Sequence, residues 1–249
     1  MIIYGRNPVK ELLSDPDSKI DEILILKDGR KEGTSDIFTL AKERGIKVLF
    51  LPKDAITRVS GTTSHQGVAA HISEFEYSSV ENILGLAEGR GEKLLLVILD
   101  HIEDPQNLGA IVRTVNVLGA HGVVIPKDRA ASITPAVVKA SSGAVNHVLI
   151  SKVVNLSTVI EVLKKTGVWI VGADPSAPGH LFREDLGKLD IALIIGSEGK
   201  GLGQKVKEQC DFLVSIPQSG KVTSLNASVS AGILIYEIMR QRRANKSDK

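Results

Sequence analysis

Three short segments of the 249-residue chain carry side chains whose types and spacing suit ligand chemistry. In DPQNLGAIVRT (104–114), an apolar run gives way to a turn that opens a helical pattern. Asn107 is a candidate N-cap there, because its side chain can accept from an orphan backbone N–H. Leu108, Ile111, Val112, Val115 and Leu118 form a buried stripe, and Arg113 lies off it. Gly109 and Ala110, one turn earlier, would leave room for Arg113 to lean back toward the helix mouth. Asn107, the helix dipole and Arg113 together suit an anionic group. An ordinary cap beside a solvated arginine fits the same residues. In IALIIGSEGKGLG (191–203), a strand exits into a glycine-rich turn holding Glu198 and Lys200. The glycine order matches neither the dinucleotide fingerprint nor a phosphate loop, since Lys200 is followed by Gly201. In FLVSIPQSGKVTSLNASVSAGILIYE (212–237), a strand ends at Pro217, Ser224 caps a helix rich in small residues, and Asn226 sits beside that cap.

The elements that must position these segments are legible as apolar runs. Strands are expected at LLLVILD, GVVIP, HVLIS, VWIVGA, IALIIG and FLVSIP. Helices are expected at 107–119, near 134–142, 156–166, near 202–209 and 224–243. Continuous rather than alternating apolar strands indicate a parallel sheet covered on both faces. Ligands bind such sheets beyond the carboxyl ends of the strands, which is where the three segments lie. Residues 1–75 read as a separate small α/β unit, with strands at DEILILKD, IKVLFL and QGVAAHIS and a helix over TSDIFTLAKERG. His71, within an apolar strand, reads as a core histidine. Residues 76–93, polar and glycine-rich at EGRGEK, read as a linker, and 94–249 as the second domain.

Composition narrows the function classes. No apolar run approaches the roughly 20 residues of a membrane span, and MIIYGRNPVKELL lacks the order of a signal peptide; a cytoplasmic protein is expected. The single cysteine, Cys210, excludes an internal disulfide and a cysteine-rich zinc site, and no metal is expected. A net charge of +2 means that nucleic-acid binding would come from local patches. The basic chain end RQRRANKSDK is one such patch, or a solvated helix end.

NLGAIVRT, IIGSEGKGL and SIP…VTSLNASVSAGI, in this order and spacing, resemble the three motifs of the SpoU/TrmH family, RNA ribose 2′-O-methyltransferases of the SPOUT class. YGRNPVKELL and SHQGVAAHI resemble the substrate-binding domain of members that methylate a guanosine of bacterial large-subunit rRNA. The resemblance covers nearly the whole chain. It implies S-adenosylmethionine as methyl donor, a C-terminal catalytic domain closed by a deep trefoil knot, an N-terminal RNA-binding domain, and a homodimer formed through the C-terminal domains. Its motif positions imply catalytic roles for Asn107, Arg113, Glu198, Ser224 and Asn226, and cofactor contact, largely through backbone, for Ala173, Gly196, Ile216 and Leu225. RNA contact is implied for Arg6, Asn7, His65 and Gln66 in the N-terminal loops, and for Lys127 and Arg129 beside the catalytic site.

The family's arginine has been cast as a general base, but a guanidinium is a poor proton acceptor. Arg113 is better suited to clamp a phosphate and to stabilise developing alkoxide charge. An RNA phosphate oxygen, a water or Glu198 then remain as acceptors, unless Glu198 mainly orients Asn107 or Arg113. Two other readings stay open on the residues alone: a non-catalytic RNA-binding protein, and a nucleotide-dependent enzyme using the glycine loop. A tRNA ribose is the alternative substrate for the same chemistry.

Overall fold

The computed structural model describes residues 2–16, 18–27, 33–73, 75–177, 179–180, 185–220 and 224–247. The chain divides into two compact units, Met1–Glu76 and Tyr77–Lys249. The first contains β1 (Ile2–Tyr4), α1 (Arg6–Ser14), β2 (Ile20–Leu26), α2 (Ser35–Glu43), β3 (Lys47–Leu51), α3 (Lys53–Ser60) and β4 (Val68–Ile72). Its sheet runs β1-β4-β2-β3, with β4 antiparallel to both neighbours and β2 parallel to β3. Alternation along β2 sends Ile23 and Ile25 into a core with Val9, Leu12, Ile37 and Ala41, while Leu24 meets Ile56 and Ala69. The short, largely polar α1 and α3 therefore cover opposite faces. Arg44 braces the C-terminal end of α1: its guanidinium donates to the carbonyls of Leu12, Leu13 and Asp15 at 2.8–3.2 Å. His71 lies half-exposed, with Nδ1 3.2 Å from Glu22 Oε1, rather than in the core. Val68, Ala70 and Ile72 take the inward positions on its strand.

The second unit contains α4 (Val80–Gly89), β5 (Leu95–Asp100), α5 (Pro105–Leu118), β6 (Gly122–Pro126), α6 (Pro135–Ala140), β7 (Leu149–Val153), α7 (Leu156–Lys165), β8 (Trp169–Ala173), β9 (Gly179–His180), β10 (Ile191–Gly196), α8 (Gln204–Glu208), β11 (Phe212–Ser215) and α9 (Ala227–Ser247). Its strands form one parallel sheet in the order β7-β6-β5-β10-β8-β11-β9. Every residue of β5 is buried, which explains the continuous apolar strand pattern. One core cluster joins Leu96, Ile98, Ala192 and Ile194 to Ile83, Ile160 and Val206. α5 and α9 pack against each other, and α9 packs against β10. Residues 80–89, inside the stretch expected as a linker, form α4, whose Val80, Ile83 and Ala87 belong to this core. Ser79 caps it, accepting from Asn82 N at 3.2 Å.

The chain leaves β5 toward β6 on one side, while β10 enters on the other, between β5 and β8. A crevice therefore opens at the carboxyl ends of β5 and β10. At the opposite end of β5, buried His121 accepts from Leu95 N at 3.0 Å through Nδ1, and its Nε2 lies 3.3 Å from Glu92. Burial lowers its pKa below the ordinary 6.5, against the pull of Glu92. The unfolded chain therefore binds the proton more tightly. The imidazole's contribution is complete above pH 6.5 and is lost as pH falls toward the lower folded value. Denaturant unfolding should show stability falling on acidification below that point. His121→Asn, which keeps an acceptor for Leu95 N, should reduce the slope.

Candidate functional site

The helix that presents Asn107 and Arg113 begins earlier than its cap pattern suggested. Asp104, not Asn107, is the N-cap: its Oδ1 accepts from Gln106 N at 2.9 Å, and its carbonyl accepts from Leu108 N at 3.1 Å. Pro105 occupies the first turn, where its fixed φ suits the helix and its missing N–H costs nothing. Asn107 is thereby freed from capping and turns across the crevice, donating to Glu198 Oε1 at 3.0 Å. Gly109 does not serve Arg113. A Cβ there would lie 2.5 Å from Ala140 Cβ and 2.9 Å from Ser141 N, so this glycine lets α5 pack on α6. Arg113 is exposed and donates to Ser142 Oγ at 3.2 Å.

Glu198 reaches the crevice because the loop after β10 folds back on itself. Gly201, with φ 64, donates to the Ser197 carbonyl at 2.8 Å. A Cβ on Gly196 would lie 2.3 Å from the Gly201 carbonyl carbon. Gly196 is thus required by the loop's own closure. Glu198 Oε1 accepts from Asn107 Nδ2, from Asn226 Nδ2 at 2.5 Å and from Ala227 N at 3.2 Å. Asn226 Nδ2 also reaches Asn107 Oδ1 at 2.9 Å. The α9 cap is Asn226 rather than Ser224: Asn226 Oδ1 accepts from Ser228 N at 2.9 Å and Val229 N at 3.3 Å. Both residues are good caps by type, and the observed cap lies two residues later than the expected one. Residues 221–223 lie outside the described residues.

Two cavities share the wall formed by residues 197–202. The first, about 460 Å³, is lined by all four residues expected to touch cofactor, Ala173, Gly196, Ile216 and Leu225, and also by Ser224 and Glu198. Asp174 and Lys207 pair on its wall. Burial would raise the Asp174 carboxyl pKa. The Lys207 ammonium and the Ser176 donors outweigh burial and hold it below the usual 3.8. The second, about 740 Å³, is lined by His101, Asn107, Arg129 and Glu198 among others. Lys127 is exposed and lines neither. Asp174, Lys207, Asp100 and His101 escaped the sequence reading; the one signal for Asp100 and Asp174 was an acidic residue ending or following an apolar strand. Among the described residues, no group of three His, Cys, Asp or Glu is placed to hold a metal, and no helix is long and apolar enough to cross a membrane.

In the first unit, Arg6, Asn7 and Gln66 line one cleft of about 500 Å³ with Leu26, Thr34 and Gly67. Arg6 N donates to Gln66 Oε1 at 3.0 Å, tying the start of α1 to the loop before β4. His65 is not part of that surface. It is 2% exposed, its Nδ1 accepts from Gly67 N at 3.0 Å, and its Nε2 lies 3.0 Å from Thr57 Oγ1. The imidazole shapes the turn that presents Gln66.

Comparison with known proteins agrees with this division. The SpoU rRNA Methylase family matches residues 94–236, and the family described as RNA 2'-O ribose methyltransferase substrate binding matches residues 2–78. The chain is 44% identical over 240 residues to YacO of Bacillus subtilis, named as a TrmH family tRNA/rRNA methyltransferase, covering 96% of this chain and 95% of that one. It is 39% identical over 240 residues to the 23S rRNA (guanosine-2'-O-)-methyltransferase RlmB of Nitrosomonas europaea, covering 96% and 91%. The SpoU methyltransferase AviRb of Streptomyces viridochromogenes, solved in complex with the cofactor AdoMet, aligns with TM-score 0.66 and 25% identity over 98% of this chain and 91% of that one.

The hub around Glu198 carries its own test. Asn226→Asp keeps the helix cap but replaces the donor facing Glu198 with a second carboxylate. This variant should be less stable at pH 7 than at pH 5, where one of the two carboxylates gains a proton. Asn226→Ala should lose the cap, about 1 kcal/mol, at both pH values. Denaturant titrations at the two pH values separate these outcomes.

Proposed function

We propose, from the premise that this chain belongs to the SpoU rRNA methylase family, that it methylates the ribose 2′-hydroxyl of a guanosine in 23S rRNA. The coarser activity follows from the family: the chain is an S-adenosylmethionine-dependent RNA 2′-O-methyltransferase. The observation that carries the reading is the hydrogen-bonded cluster of Asn107, Glu198 and Asn226, whose Glu198 lines both cavities. One cavity suits a cofactor and the other an incoming nucleotide.

The first cavity fits the methyl donor. Its volume lies within the usual range for small-molecule sites, and Ile216 and Leu225 supply apolar wall beside the backbone of the 197–201 loop. When bound, S-adenosylmethionine supplies a methyl group on a sulfonium, open to in-line attack. The protein's work is then to hold the ribose oxygen in attacking position and to manage charge. In this reading Asn107 and Asn226 fix the rim of the site, and Ser224 lines the donor side. Three N–H donors already on Glu198 Oε1 favour a positioning role for that carboxylate over proton transfer. Arg113, exposed and held by a single hydroxyl among the described residues, is free to turn toward an RNA phosphate.

The name of the Nitrosomonas relative favours a 23S rRNA guanosine, whereas the Bacillus relative's name keeps a tRNA ribose as the second reading. In the proposal, Arg6, Asn7 and Gln66 of the first unit grip RNA, and Arg129 meets RNA at the second cavity, which it lines. Lys127, exposed and outside both cavities, would meet an RNA phosphate at the surface, and His65 acts by holding the turn. Val117, Val229 and Tyr236, exposed on the mutually packed α5 and α9, favour a homodimer through the C-terminal unit. The knot implied by the family resemblance and a cytoplasmic location belong to the same proposal.

The test is methyl transfer from labelled S-adenosylmethionine to bulk rRNA and to bulk tRNA from cells lacking the enzyme. Label should appear in a 2′-O-methylguanosine of 23S rRNA. Arg113→Ala should lower the rate about 10²–10³-fold, as loss of a charge-stabilising donor does, while cofactor binding persists. Label in tRNA alone would move the substrate, and a chain that binds no cofactor would end the reading.

A further inference from the structure

We propose that His101 accepts the proton of the ribose 2′-hydroxyl and that Asp100 orients it; the proposal rests on the methyltransferase reading above. Methyl transfer leaves one proton to place. Arg113 is a poor acceptor, and Glu198 Oε1 is occupied by three donors.

Asp100 is the last residue of β5 and is 1% exposed. Its Oδ2 accepts from Gly203 N at 2.6 Å, and its Oδ1 lies 2.6 Å from His101 Nδ1. An ionised carboxylate only accepts, so the proton of that contact sits on Nδ1. With that one proton on the ring, the lone pair lies on Nε2. This is how a buried carboxylate prepares an imidazole as a base. The backbone at His101 has φ 60, a left-handed conformation that few non-glycine residues adopt, histidine more often than most. Such strain concentrates at working sites. The residue lines the second cavity together with Asn107 and Glu198. Among the described residues, Asp100 is the ring's only polar partner, which leaves Nε2 to a ligand. The other charged groups facing this cavity are Glu103 and Asp104 before α5, Arg129 after β6, and Glu198 and Lys200 after β10.

The step balances. The 2′-oxygen forms a bond to the methyl carbon, and the carbon–sulfur bond breaks with its electron pair passing to sulfur. The hydroxyl proton moves to His101 Nε2, giving an imidazolium facing Asp100, and then leaves to water.

The experiment is transfer to rRNA as a function of pH by full-length wild type, His101→Gly, His101→Gln and Asp100→Asn. Calorimetric S-adenosylmethionine binding is measured alongside. Glycine accepts φ 60 without strain, and glutamine keeps a polar side chain that cannot take a proton. Both His101 variants should bind cofactor as wild type does, lose about 10²–10⁴-fold in kcat, and lose the acid limb of the wild-type profile. Added imidazole should restore part of the rate of the glycine variant. Asp100→Asn should move the acid limb to lower pH. Retention of the wild-type rate and acid limb in either His101 variant overturns the proposal. A rise in RNA KM with kcat unchanged and no imidazole rescue also overturns it, since that describes an RNA contact. A wild type that binds cofactor but methylates no RNA removes the reading beneath the proposal, and the proposal with it.

Discussion

One carboxylate oxygen gathers the segments that follow three strands of the second unit. Glu198 Oε1 takes an N–H from α5, a side-chain amide N–H from the α9 cap and the first backbone N–H of α9 itself. These donors come from segments some 90 and 30 residues away in sequence. Removing the carboxylate would leave the Asn107 amide without its acceptor, the Asn226 amide with Asn107 Oδ1 alone, and the start of α9 without a counter-charge. The carboxylate reaches them only because the loop closes at Gly196, where no side chain fits. A backbone constraint at the end of one strand therefore decides where three side chains meet.

The sheet makes that meeting possible. Because β10 lies between β5 and β8, the loops after all three strands open on one edge, and the helices that follow β5 and β11 start there. α5 is held close to α6 by the missing Cβ of Gly109, so the arginine four residues later emerges beside Ser142 rather than in the crevice. The candidate site as folded thus has a hydrogen-bonded part, the Asn107–Glu198–Asn226 cluster, and an exposed cation, Arg113, on the same helix as Asn107.

The first unit shows the same economy on a smaller scale. His65 and Gln66 are adjacent, yet one is sealed inside and the other opens onto a cleft with Arg6 and Asn7. Positive φ at Gln66 and Gly67 turns the chain between them. The buried imidazole accepts the Gly67 amide that would otherwise be unpaired. A buried histidine can shape a loop without opening onto the cleft beside it.

Sequence alone determined the parallel, two-face-covered sheet, because strands buried on both faces must be continuously apolar. It also marked the three strand-exit loops whose Asn107, Glu198 and Asn226 meet in the fold, because motif order and spacing are visible without any structure. The helix starts were not legible: Asp104 and Asn107, like Ser224 and Asn226, are equally good caps by type, and only tertiary hydrogen bonds choose between them. The stretch at 76–93 looked like a linker because its polar face and glycines dominate its composition, while the three residues that bury α4 are too few to stand out. Gly109 read as room for an arginine because the helix it touches lies some 30 residues further on. The tertiary structure alone paired Asp100 with His101 and Gly203, and gave Glu198 its three donors. Such contacts depend on loop closure and strand order, which local periodicity does not encode.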